Sequence, residues 1–141
     1  MTKKEKLKLC NRVLLALVFT MLISSLQMEL SGGHALLNIS FELYMWIHVT
    51  IAVVMCSFVL WHLWLHFGSQ NWFVRIKALP KKMTKVLFAF TLLMFITGIV
   101  SLIQLLVHGM EHGTVGGIHG KIGFVFLAIA IGHTLKRKKL L

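Results

Sequence analysis

Residues 45–66 read Met45-Trp-Ile-His48-Val-Thr-Ile-Ala-Val-Val-Met-Cys-Ser-Phe-Val-Leu-Trp-His62-Leu-Trp-Leu-His66. The stretch contains no Lys, Arg, Asp or Glu. It is as long as the roughly 20 residues that a helix needs to cross the hydrocarbon core of a bilayer. Yet it carries three histidines, and ionisable side chains inside a span are rare enough to indicate function.

Working outward, three further apolar runs of similar length occupy residues 13–30, 86–107 and 117–135. The only proline, Pro80, falls between the second and third spans, so no helix interior is broken by proline. Hydrophobic residues make up 57% of the 141, and charged residues only 13%. A soluble domain is about a quarter charged, which excludes a soluble core of this size. The expected fold is an all-α integral membrane protein, a four-transmembrane-helix up-down bundle in a single domain, residues 1–141.

The net charge is +11, from 15 Lys and Arg against 4 Asp and Glu. A basic surface of that size can signal nucleic acid. Here the basic residues are confined to three blocks: Lys3, Lys4, Lys6, Lys8 and Arg12; Arg75, Lys77, Lys81, Lys82 and Lys85; and Lys136, Arg137, Lys138 and Lys139. Blocks alternating with apolar runs describe membrane topology and contact with anionic lipid, not a groove-binding face. The positive-inside rule places both termini in the cytoplasm; Lys121 is the one basic residue on the opposite side. Trp61, Trp64 and Trp72 then mark the inner interface, and Tyr44 and Trp46 the outer one. The first run follows a lysine-rich segment, as in a signal peptide, but no A-x-A pattern follows it, so it reads as a retained span. Cys10 and Cys56 form no pairing pattern, and the chain lacks Cys-x-x-Cys-His, which argues against a disulfide and against covalently attached haem.

His48 and His62 are 14 residues apart, and so are His119 and His133 in the last span. On a helix, 14 residues rise about 21 Å and turn by a net of roughly 40°, so each pair shares a face. In an up-down bundle the second and fourth spans run parallel. His48 then lies level with His119 near the outer surface, and His62 with His133 near the inner one. Two stacked b-type haems, each held by two axial imidazoles, account for this arrangement. Gly120, Gly123 and Gly132 beside the fourth-span ligands, and Ala52 one turn below His48, leave room for a porphyrin. Met55 and Phe126 fall midway between the ligand levels. His66 also lies on the ligand face and competes with His62 for the inner haem; its other readings are a propionate or quinone contact, or plain solvation. His34, His108 and His112 belong to the outer side. The run His108-Gly-Met-Glu111-His112 reads as a proton relay for quinol oxidation or as a polar loop, and only weakly as a metal site. Glu29 and Glu42 read as interfacial rather than catalytic.

The stretches Trp46-Ile-His48, Trp61-His62-Leu-Trp-Leu-His66 and Asn71-Trp72, with Ile118-His119-Gly120-Lys-Ile-Gly123 and Gly132-His133, resemble the flavinylation-associated cytochrome domain family of membrane cytochromes. More distantly, the paired histidines resemble respiratory cytochrome b and ferric-reductase-like membrane domains. The likeness covers residues 41–135. It implies a haem-binding helical bundle in a bacterial cytoplasmic membrane, with His48, His62, His119 and His133 as axial ligands. It further implies electron transfer between the quinone pool, including a bound quinone, and an extracytoplasmic redox partner such as a flavoprotein. No flavin-attachment segment, nicotinamide fingerprint or P-loop is present, so the chain reads as an electron-transferring subunit with quinol oxidoreductase activity at most. A chain this small around two cofactors suits a homodimer or a larger complex. Two rivals stand beside this reading. One is a histidine-lined metal or proton transporter, for which the few polar residues Thr20, Ser24, Ser25 and Gln27 of the first span and Thr91, Thr97, Ser101 and Gln104 of the third make a thin path. The other is a non-catalytic membrane anchor subunit.

Overall fold

In the computed structural model, which describes residues 1–32, 34, 37–68, 71–77, 82–109 and 114–136, five helices follow one another. They are α1 (Lys3–Ser31), α2 (Phe41–Phe67), the short α3 (Trp72–Lys77), α4 (Lys82–His108) and α5 (Thr114–Lys136). The four long helices contain the four predicted spans, and all four are long and apolar enough to cross a membrane: Lys3–Ser31, Phe41–Phe67, Thr84–His108 and Val115–Thr134. The all-α, four-span architecture read from the sequence is the one observed. Pro80 lies outside the described residues.

Local chemistry sets the helix ends. α1 begins well before its apolar run because Thr2 and Glu5 form a capping box: the Thr2 N–H donates to the Glu5 carboxylate at 2.7 Å and the Glu5 N–H to Thr2 Oγ1 at 3.3 Å. This satisfies two amides that the first turn leaves open. Ser40 caps α2 in the same sense, accepting from the Leu43 N–H at 3.3 Å. α2 ends at Gly68, whose φ of 64° and ψ of −147° define a backbone region that only glycine populates readily. Its N–H donates to the Trp64 carbonyl at 2.8 Å and closes the helix.

The chain divides into two compact units, one comprising Met1–Asn71 with Thr134–Leu141, the other Trp72–His133. In the first, α1 packs antiparallel on α2: Cys10 meets Phe58 near one end and Ser24 meets His48 near the other. Cys10, fully buried, donates its Sγ–H to the Phe58 carbonyl at 3.5 Å. Cys10 lies among the basic residues Lys3 to Arg12, and the early start of α1 makes it part of the helix contact. Both cysteines are free thiols, as expected. Tyr44, near the start of α2, is only 3% exposed. In the second unit α4 packs antiparallel on α5: Thr97 meets His119, while the Met94 methyl lies 3.4 Å from where a Cβ on Gly123 would stand. Phe126, Leu127 and Ala130 of α5 are buried. Large apolar side chains on the surface, such as Leu92, Ile96, Ile103 and Leu106 of α4, are what a lipid solvent requires.

Candidate functional site

His48 is half-buried on α2, and a polar neighbour comes from α1. Ser24 Oγ lies 3.1 Å from His48 Nδ1. Ser24 is itself buried, and its hydroxyl donates to the Met21 carbonyl at 3.0 Å. A hydroxyl has one hydrogen and two lone pairs. With that hydrogen given to the backbone, Ser24 is an acceptor for His48 Nδ1–H; with it turned to the ring, Ser24 donates to Nδ1 instead. The first arrangement puts the proton of a neutral imidazole on Nδ1 and its lone pair on Nε2.

The second unit repeats the arrangement on different helices. His119, half-buried on α5, places Nδ1 2.9 Å from Thr97 Oγ1 of α4. Thr97 donates its hydrogen to the Leu93 carbonyl at 2.9 Å, with the Met94 carbonyl at 3.3 Å. So bonded, Thr97 is an acceptor for His119 Nδ1–H, the arrangement that puts the lone pair of a neutral ring on Nε2. Close approach is possible because the next residue is Gly98: a Cβ there would stand 3.2 Å from His119 Cε1. A methyl at that distance requires the ring to give way.

A ring held through Nδ1–H by a second-shell acceptor, with Nε2 as the basic nitrogen, is the form in which histidine ligates a metal. With the proton on Nδ1, both rings fit an axial-ligand role by donor chemistry. Ser24 and Thr97 were visible in the sequence only as sparse polar residues of otherwise apolar spans, and Gly98 was not visible as special. A hydroxyl that returns its hydrogen to the preceding turn looks inert until the facing helix supplies an imidazole.

Among the remaining candidates, His62 and His66 bring their rings together on α2, with centroids 4.6 Å apart and planes tilted by 59°. His62 is half-buried and His66 exposed. His133 is half-buried near the end of α5. His48, His62 and His66 lie in the first unit, His119 and His133 in the second. A methyl on Gly120 or Gly132 would meet nothing within 4 Å, so neither glycine is needed for packing within the protein. Gly123 differs: its small size accommodates Met94, which makes it a helix-packing residue. His34 and His108 are exposed, as are Glu29 and Glu42, while Glu111 and His112 lie outside the described residues. Among the described residues, no three His, Cys, Asp or Glu side chains are grouped to hold a metal ion. No family model, curated protein or solved structure matches the chain.

Proposed function

We propose that the chain is a diheme b-type cytochrome subunit of a bacterial cytoplasmic membrane, carrying electrons between the quinone pool and an extracytoplasmic redox partner. What supports this most is the pair of hydroxyl-anchored imidazoles. His48 and His119 sit in different units and meet different helices, yet each has its Nδ1 within hydrogen-bond distance of a buried or half-buried hydroxyl. In this reading each hydroxyl accepts from Nδ1–H and leaves Nε2 to ligate, and the occurrence of the contact in both units matches the equal spacing of the two histidine pairs.

In this reading His48 and His119 serve one haem through Nε2, and His62 and His133 serve the second; the pairing rests on the 14-residue spacing. Bound haem supplies one-electron carriage, which no side chain of this chain provides. The protein's share is orientation and exclusion. Ser24 and Thr97 fix ring rotation and tautomer, Gly98 sets how close α4 comes to the His119 ring, and the apolar helices keep water from the ligands. His66, one turn beyond His62, is placed for a peripheral contact at the inner level. The basic clusters beside the spans hold the termini in the cytoplasm.

The test is a reduced-minus-oxidised visible spectrum of the purified full chain, with haem extracted and counted. A b-type α-band and two haems per chain are expected. A colourless protein, prepared from cells supplied with haem precursor, overturns the reading. One haem per chain overturns the stacked pair and retains the cytochrome.

A further inference from the structure

The polar side chains of α4 do not all behave alike. Thr91 and Thr97 return their hydroxyl hydrogens to the Leu87 and Leu93 carbonyls. Ser101 does not: its Oγ is buried without a hydrogen-bond partner, and so is the side-chain carbonyl of Gln104. Ser101 lies four residues beyond Thr97 and Gln104 seven, which at about 100° per residue puts both within roughly 40° of Thr97 around the helix. Thr97 touches His119. Ser101 and Gln104 therefore continue toward the C-terminal end of α4 on the face that meets α5. A span has no water in which to satisfy such groups, so unpaired polar atoms there indicate a partner brought from outside.

We propose that Ser101 and Gln104 hold the head group of a hydroquinone, within the second unit and next to His119. The inference rests on the electron-transfer reading above and adds its substrate site. The chemistry of the two residues selects the ligand. The Gln104 carbonyl only accepts, so it needs a donor, and a quinol hydroxyl is one. Ser101 both donates and accepts, and suits either a hydroxyl or a carbonyl of the ring. The approach is apolar: Ile103 and Leu106 on the same helix are exposed, so a lipophilic molecule reaches α4 from the bilayer. Both polar atoms are shut off from solvent in the unliganded protein, and the long side chain of Gln104 is the part that turns to admit the ring. His108, one turn past Gln104 on the same stripe and exposed, stands at the exit toward the membrane surface.

The experiment measures equilibrium binding of a decyl-substituted benzoquinol and of the matching naphthoquinol to the full chain in lipid nanodiscs, with thermal stability and haem content recorded for each variant. Gln104→Met and Ser101→Ala remove the hydrogen-bonding atoms at similar or smaller volume, and Ser57→Ala on α2 is the control. Each of the first two weakens binding of at least one quinol by tenfold or more. Their unliganded melting temperatures stay level or rise, because a buried unpaired group has been removed. Unchanged binding of both quinols in both variants overturns the proposal. So does weaker binding accompanied by a lower melting temperature in both, which marks residues that hold structural water. A colourless protein that binds quinol through Gln104 overturns the electron-transfer reading and leaves the site standing.

Discussion

Replacing Thr97 by Val tests the anchored-imidazole argument with the least disturbance of shape. The change keeps the branched side chain and removes the one atom that accepts from His119 Nδ1–H at 2.9 Å. A buried N–H stripped of its acceptor loses about 1–3 kcal/mol. The ring escapes that loss by moving its proton to Nε2, and an imidazole protonated there cannot ligate through that nitrogen. At about 1.4 kcal/mol per factor of ten, the ligating tautomer becomes roughly 5- to 140-fold less favoured. That range overlaps the 10- to 100-fold weakening typical when a metal ligand loses its second-shell partner. The assay is the rate of haem transfer from the reduced and oxidised protein to excess apomyoglobin, together with a redox titration. One of the two haems leaves at least fivefold faster in Thr97→Val, and its midpoint potential shifts, while the other haem keeps its wild-type rate. Thr97→Ser retains the hydroxyl and stays within about twofold of wild type on the same scale. The reasoning fails if Thr97→Val releases both haems at wild-type rates with unchanged potentials. It fails equally if Thr97→Ser matches Thr97→Val, since the methyl contact and not the hydrogen bond is then what matters.

Ser24→Ala removes the corresponding acceptor for His48 and is expected to affect the same haem as Thr97→Val in the same transfer assay; an effect on the other haem would break the pairing of His48 with His119. Gly98→Ala pushes a methyl to 3.2 Å from His119 Cε1 and is expected to displace the ring, read as a changed low-spin EPR signal with a stability loss of about 1–3 kcal/mol in thermal melts. Gly120→Ala meets nothing within 4 Å, so the unloaded protein keeps or gains stability, by up to about 1 kcal/mol from helix propensity. A normal haem content in that variant would show that no porphyrin approaches this stretch of α5. His62→Ala is expected to abolish one haem and His66→Ala to leave the count at two; the reverse outcome makes His66 the ligand.

The fold was legible because a bilayer imposes a coarse rule. Runs such as 45–65 must be long, apolar and helical whatever they pack against, and composition alone locates them. Helix ends were less legible. The start of α1 near Lys3 follows from Thr2 and Glu5, a local hydrogen-bonding pattern that a hydropathy reading passes over in favour of the apolar run. The place of Cys10 was lost with it, since a residue assigned to a polar tail is never considered for the α1–α2 contact. The burial of Tyr44 was not legible either, since a sequence does not say which side of the helix a given ring occupies.

The candidate site divides along the same line. Spacing along one helix is written in the sequence, so the pairs His48 with His62 and His119 with His133 could be found by counting. The hydroxyls that hold two of these rings come from other helices, 24 residues before His48 and 22 before His119, and no local pattern ties them together. What identifies Ser24 and Thr97 is their place in three dimensions. Read alone, a serine bonded three residues back is an ordinary feature of an apolar helix. With its hydrogen on its own helix, each hydroxyl is an acceptor for Nδ1–H, and a ring so bonded is basic at Nε2. The proposed ligand role requires that state of both rings, whereas a histidine-lined proton path requires rings that exchange protons at both nitrogens, so the tautomer of His48 and His119 is what separates the two readings.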